Sequence, residues 1–314
     1  MRVLVTGGGG FVGSHLVRAF LEQGYAVRVL DNFSTGRLSN LDGADVEIIE
    51  GDLRSYERVS TAMRDVEVVS HQGALPSVPR SIQDPLTSNA VNVEGTLNVL
   101  LAARDHLVRR VVTASSSSVY GDTPGMPRTE SQSTAPLAPY AVSKLAAEQY
   151  TRVAHEVFGI ETVALRYFNI FGERQDPYSG YSAVIPRFIR LMLEGTAPTV
   201  FGDGTVSRDF TYIANVVAAN LAAARESAAV GQVFNVACGQ AYTINQLVDE
   251  LNGILGTDIV PHHAAPRAGD VPESLADISR ARDALGYRPS VDFQTGLQRC
   301  CAWMSQQIGG SIRA

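Results

Sequence analysis

The chain has 314 residues, 45% of them hydrophobic, and a formal net charge of -6, so it can bury one large core or two modest ones without disulfide staples. Its acidic balance comes with no basic run or lysine-rich face, which argues against nucleic acid as the main partner, so any anionic ligand must be held by individually placed arginines and backbone amides. The three cysteines, Cys238, Cys300 and Cys301, lack metal-ligand spacing, so they read as reduced, packed thiols with no metal expected. The opening apolar run of "MRVLVTGGGG" is far too short for a membrane span or a secretory core. A cytoplasmic protein with no membrane partner is the expectation.

In chain order, runs rich in Val, Ile and Leu recur at 2–6, 26–30, 46–50, 66–70, 109–114 and 161–166, continuous enough to be strands buried on both faces. Helix-length segments lie between them, among them 11–23, closed by Gly24, and 86–106. This alternation predicts an α/β fold around a doubly wound parallel sheet. After Phe168 the rhythm breaks into Gly- and Pro-containing stretches such as "FGERQDPYSGY", so a smaller C-terminal α/β lobe is expected. The division is set at 1–168 and 169–314, with part of 205–235 open to return to the first unit.

The first motif is "VTGGGGFVGSH", where Gly7, Gly10 and Gly13 follow a strand and open a helix. Glycines there let the backbone approach a pyrophosphate, and the helix N-terminus supplies amides and a favourable dipole. Asp31 ends the second strand, placed to accept from a ribose 2'-hydroxyl and to repel a 2'-phosphate, so NAD is favoured over NADP. The fold expected is therefore of the Rossmann type. Asp52 and Leu53 follow the third strand, where an adenine ring should lie; for Asp52 a helix N-cap is the other reading.

The second motif is "YAVSK". Tyr140 and Lys144 are four apart and share one face of a helix starting near Pro136 and Pro139. A nearby ammonium and an oxidised nicotinamide both stabilise a phenolate; taking a tyrosine from ~10 towards ~7 needs about 4 kcal/mol of differential interaction. Tyr140 is thus a candidate general base. Upstream, "ASSSSVYG" sets four serines at a strand end.

Together "TGGGGFVG", "DNFSTG", "GDL", "SSSSVYG", "YAVSK", "RYFNIFG", "RDFTYI" and "PRAGDVPES" resemble the extended short-chain dehydrogenase/reductases acting on nucleotide sugars, most closely the UDP-hexose 4-epimerases. The resemblance covers residues 1 to about 289. It implies that Ser116, four residues before the tyrosine of the V-Y-G turn, is the catalytic serine beside Tyr140 and Lys144. It adds Phe11, Val12, Asn32 and Tyr167 to the NAD contacts. For the UDP-sugar it implies Asn169 on the diphosphate, Val184, Thr199 and Phe201 around the uridine, and Arg208, Arg267 and Asp270 on phosphate and ribose. Ser77 and Ser274 then face the sugar. Ala214 departs from the acidic residue usual in relatives, which implies a lost helix cap.

Related dehydratases carry Asp-Glu immediately after the catalytic serine position; here Ser117 and Ser118 stand there. Without a carboxylate to drive elimination, the implied reaction stops at oxidation and re-reduction of C4, an epimerisation through a transient 4-keto sugar. Uronate epimerisation, net 4-ketoreduction and, outside enzymes, an NAD-binding sensor on the same fold stay open. A small Ser274 implies room for an N-acetyl group at C2, and the resemblance implies a homodimer.

Overall fold

The computed structural model describes residues 1–179, 182–266 and 272–312. Its chain begins with alternating strands and helices: β1 (Arg2–Thr6), α1 (Phe11–Glu22), β2 (Ala26–Asp31), β3 (Glu47–Glu50), α2 (Tyr56–Ala62), β4 (Val68–His71), the short helices α3 (Val78–Gln83) and α4 (Pro85–Asn89), α5 (Gly95–Asp105), β5 (Arg110–Ser116), α6 (Pro139–Phe158) and β6 (Glu161–Tyr167). Strand periodicity accounts for two cores. In β1, Val3 and Val5 enter one and Leu4 the other, as side chains alternating across a sheet covered on both faces must.

The remaining strands are β7 (Ile170–Phe171), β8 (Thr199–Phe201), β9 (Ser207–Arg208), β10 (Thr211–Tyr212), β11 (Gln232–Val236), β12 (Tyr242–Thr243), β13 (His262–Ala264) and β14 (Glu273–Ser274), with helices α7 (Val184–Leu193), α8 (Ile213–Ala223), α9 (Ile244–Leu255), α10 (Ser279–Leu285) and α11 (Phe293–Ile312). The central sheet is parallel, in the order β11-β6-β5-β4-β1-β2-β3. Strand order reverses beside β1, and in such sheets a crevice for ligands opens at the carboxyl ends of the strands there. The smaller lobe is stitched from two- and three-residue strands, β8 with β13 and β9 with β12 and β14. Between excursions into that lobe the chain lays α8 against α1 and adds β11 to the edge of β6.

Two local expectations shift. The helix expected over 86–106 is interrupted by a π turn at Ala90–Glu94, where the Thr96 hydroxyl donates to the Asn92 carbonyl at 2.6 Å and competes with the regular ladder. Helix α6 begins at Pro139, whose missing N–H suits a first turn, and ends at Gly159 in the left-handed region, φ +70°. Helix α8 starts at Ile213 after Tyr212, which makes no side-chain cap, so Ala214 lies inside its first turn rather than at the cap.

Candidate active site

The glycine loop connects β1 to α1. Gly7 has φ +68°, and a Cβ on Gly13 would stand 2.1 Å from the Gly7 carbonyl oxygen, so only hydrogen fits at either position. Gly10 precedes α1 without a side-chain cap, so Phe11, Val12 and Gly13 present their amides in the first turn. Asp31 reaches back from the end of β2: Gly9 N–H donates to its Oδ2 and Phe33 N–H to its Oδ1, each at 2.8 Å. Burial raises its pKa and those amides pull it back. Asp31 thus fixes the loop. The Asn40 side chain and the Arg37 amide both donate to the Gly9 carbonyl, contacts that sequence spacing did not suggest.

Asp52 is not a helix N-cap. Ser55 caps α2, while Asp52 accepts from Asn32 Nδ2 at 3.0 Å and from the Arg54 guanidinium, which lowers it to about 2. Asn32 and Asp52 line an open cleft of about 690 Å³ floored by Ile48, Ile49 and Gly51, of a size and polarity suited to an adenine. Leu53 is buried in the second core, packed against Gly73 and Gly95.

At the carboxyl end of β5 the four serines separate into different roles. Ser115 turns inward and donates to Glu148 Oε2 at 2.6 Å. Ser116 lies near enough to Tyr140 to act on its phenol, and its oxygen accepts from the Ser118 hydroxyl at 2.9 Å and the Ser118 amide at 3.2 Å. Those two donors leave the Ser116 proton for the tyrosine oxygen. Burial pushes the Tyr140 phenol up and only Ser116 opposes it. The expected lowering by Lys144 is therefore not found in the protein alone: the desolvated phenol stays protonated until further positive charge reaches it. Lys144 itself, 6% exposed, is pulled down to about 8 by burial while Glu148 pulls it up.

Polar residues missed from the sequence hold this constellation. Tyr140 N–H, a first-turn amide of α6, donates to Ser81 Oγ at 2.9 Å. Asn92 accepts from Leu75 N–H at 2.8 Å, and its amide donates to Ser143 at 3.0 Å. His71 is buried between Thr6 and Thr96; because Thr96 donates onward to Asn92 and Gly73 N–H donates to Thr6, His71 is a neutral ring with its proton on Nε2. Tyr167 donates towards Gln72 and Asn220. One signal was available by counting: Lys144 is the chain's single lysine, against 25 arginines.

Across the crevice, Asn169 adopts φ +32° and its amide reaches Asp209 O at 3.3 Å and Ser274 Oγ at 3.4 Å. Ser274 pairs in register with Arg208, so these three residues are brought together. Phe201 lines a second cleft of about 850 Å³ with Val206, His263 and Pro272. Thr199 is on the same strand, and Val184 opens α7. Ser77 caps α3 by accepting from Arg80 N–H at 3.1 Å, so its hydroxyl serves the helix. Arg267 and Asp270 lie outside the described residues.

The family model for NAD dependent epimerase/dehydratases matches residues 3–237. The chain belongs to that family. It is 36% identical over 305 residues to the UDP-glucose 4-epimerase of Mycolicibacterium smegmatis, covering 95% of this chain and 97% of the relative. Among solved structures, the UDP-glucose 4-epimerase of Thermotoga maritima with UDP-glucose superposes with a TM-score of 0.94 at 34% identity, covering 98% of this chain and 100% of that one. The UDP-N-acetylglucosamine 4-epimerase of Methanobrevibacter ruminantium, bound to UDP-N-acetylmuramic acid, gives 0.93 at 39% identity, with 98% of each chain covered.

Proposed function

We propose that this chain is an NAD-dependent UDP-hexose 4-epimerase, an isomerase acting on UDP-glucose and UDP-galactose and on their N-acetylated counterparts. The observation that carries the reading is the Ser116, Tyr140 and Lys144 set at the carboxyl ends of β5 and α6's first turns, with hydroxyls in place of carboxylates at Ser117 and Ser118. The glycine cradle that any Cβ would fill, the open first turn of α1 and the Asp31 carboxylate all suit NAD. When bound, NAD supplies the acceptor for the C4 hydride and gives it back to the other face of the sugar.

The protein's part is proton handling and positioning. Ser116 bridges the sugar O4 and the Tyr140 oxygen, and Tyr140 takes the hydroxyl proton as C4 is oxidised and returns it afterwards. The desolvated phenol needs further positive charge, which comes with the oxidised nicotinamide, and Lys144, one turn along α6, adds to it. Asn169, Arg208, Thr199, Val184 and Phe201, with Arg267 and Asp270, anchor the UDP portion, which leaves the hexose free to turn its opposite face to the cofactor. Val142, Tyr150, Val153 and Val157 form an exposed apolar stripe on α6, Val142 at 52% and Val157 at 67% exposure, and this supports a homodimer paired through that helix and α5. We place the division between a cofactor domain and a nucleotide-sugar lobe at Phe168, with α8 and β11 assigned to the former. Raised pKa values at all three buried or half-buried thiols suit a reducing cytoplasm.

The test is to denature the purified protein, measure released NAD, and follow a panel of UDP-sugars by NMR. Stoichiometric NAD together with interconversion of 4-epimers is the expected result. No interconversion of any UDP-hexose would overturn the reading.

A further inference from the structure

Behind the catalytic pair lies an ion pair with no place in the reaction as derived above. Glu148, 2% exposed, and Arg166, 4% exposed, meet through two hydrogen bonds, Nη2 to Oε1 at 2.6 Å and Nε to Oε2 at 2.9 Å. Ser115 adds a third donor to Oε2, and Ser115 and Arg166 are register partners on β5 and β6. The guanidinium carbon sits 4.7 Å from the Tyr120 ring centroid. Stability is a poor reason for such a pair, because an apolar pair of similar volume is often as stable or more so. What distinguishes the position is Lys144, one helical turn before Glu148 on the same face of α6.

We propose that Glu148 and Arg166 are a positioning couple for the chain's single lysine: Glu148 is the countercharge that keeps Lys144 an ammonium facing Tyr140, and Arg166 locks that carboxylate in place and tempers its field. The surroundings of Lys144 support this division. Tyr140 lies one turn before it and Glu148 one turn beyond it on the same helix, His71 from β4, which feels the lysine's charge, is held neutral, and Arg166 from β6 reaches the site through Glu148, with Tyr120 against its guanidinium. Glu148 alone among them is an anion. Burial and Glu148 act on Lys144 in opposite directions, and Arg166 holds both Glu148 oxygens, so removing the carboxylate should lower the lysine and removing the carboxylate's partner should raise it.

This inference rests on the Tyr140 and Lys144 reading, but its test does not need turnover. Because the chain has one lysine, protein grown with lysine carrying carbon-13 at Cε gives one side-chain resonance whose titration reports Lys144 alone. Glu148→Gln should lower its pKa by about one unit or more, the size of an opposite-charge effect at close range. Glu148→Asp, which keeps the charge, should recover much of that loss. Arg166→Met should raise the pKa, because it leaves Glu148 to pair with the lysine. In the active enzyme the alkaline limb of kcat should move with the lysine in each variant. A Lys144 titration unmoved in folded, NAD-containing Glu148→Gln protein, or moved in the same direction by both single changes, overturns the proposal. Should the single variants fail to fold, the apolar pair Glu148→Leu with Arg166→Met removes both charges; Lys144 must still titrate below the parent, and an unmoved value there overturns it as well. A parent that epimerises nothing would instead count against the proposed function, leaving the NMR result to stand on its own.

Discussion

The two walls of the crevice are built on different principles. On the cofactor side, β5, β6, α6 and the π turn before α5 carry buried polar groups, each tied to a named partner: Glu148 to Arg166 and Ser115, Asn92 to Leu75 and Ser143, and the Tyr140 backbone N–H to Ser81. On the substrate side, β8, β9, β13 and β14 are two or three residues long, and the long bonds from Asn169 to Asp209 O and Ser274 are the loosest of those described at the site. Hydride transfer at C4 with proton transfer at O4 demands fixed geometry, whereas a sugar that must turn over demands a wall that grips its nucleotide and yields to its hexose. The catalytic side is rigid for the first need and the substrate side permissive for the second.

If that division holds, the largest loss must come from the rigid side. Tyr140→Phe removes the proton relay and leaves the helix intact, so kcat on UDP-glucose should fall about a thousandfold, within the range for loss of a positioned acid-base group. Released NAD and the unfolding midpoint should stay at parental values. Activity within about tenfold of the parent would move the base to another residue.

A second break point is His71, held neutral in the same polar network and lowered to about 3 by burial. A histidine with a depressed folded pKa gives stability that is fully present above 6.5 and is lost as pH falls towards 3, at about 1.4 kcal/mol per pH unit. Asp209 has the opposite sign: burial raises it to about 6, so its contribution grows as pH falls through 6. Comparing the parent with His71→Gln in urea unfolding at pH 7, 6 and 5 isolates the histidine. The parent should lose stability relative to the variant at each step down; parallel curves would show that the ring takes up its proton in the folded state as readily as in the unfolded chain.

The permissive wall is tested by filling it. Ser274 sits beside Asn169 and Arg208, and Ser274→Tyr should cut kcat/KM on the N-acetylated sugars ten- to hundredfold, the cost of about 1 to 3 kcal/mol for overfilling a packed site. The plain hexoses should be little affected. Equal losses on both pairs would mean that the side chain governs the nucleotide rather than the C2 substituent.

The two walls also differ in how far they could be read from sequence. The glycine loop, Asp31 and the Tyr140 and Lys144 pair are encoded by local spacing, because one strand-to-helix turn or one helical turn brings their atoms together. The partners that brace them are not local: Ser81 is 59 positions from Tyr140, and Asn92 is 17 from Leu75. Nothing in either stretch signals the pairing until the π turn at 90–94 and the packing of α3 on α6 are in place. Glu148 was nearer to legible, lying one turn beyond Lys144, but its meaning depends on Arg166 arriving from the next strand. Strand β11 escaped for the same reason, since "QVFNV" joins β6 only after the chain has left for the smaller lobe and returned.

The smallest expected effect lies at the far end of the rigid side, where the cofactor's adenosine would rest. Asp31 accepts the Gly9 and Phe33 amides, and in the proposed reading it also presents negative charge to the ribose. Alanine would confuse these two roles, because two buried amides would lose their acceptor at about 1 to 3 kcal/mol each. Asp31→Asn separates them: its oxygen still accepts one amide, its shape is kept, and the charge is gone. With the charge removed, a 2'-phosphate is no longer repelled, so the preference for NAD over NADP should narrow by about tenfold, a modest value for a charge pair near the surface. Cofactor Kd values from fluorescence titration of the refolded, cofactor-free protein measure that ratio directly. An unchanged ratio with weakened binding of both cofactors would assign Asp31 to the loop alone and place the reading of the ribose on Asn32 or Ser34, its nearest polar neighbours along the chain.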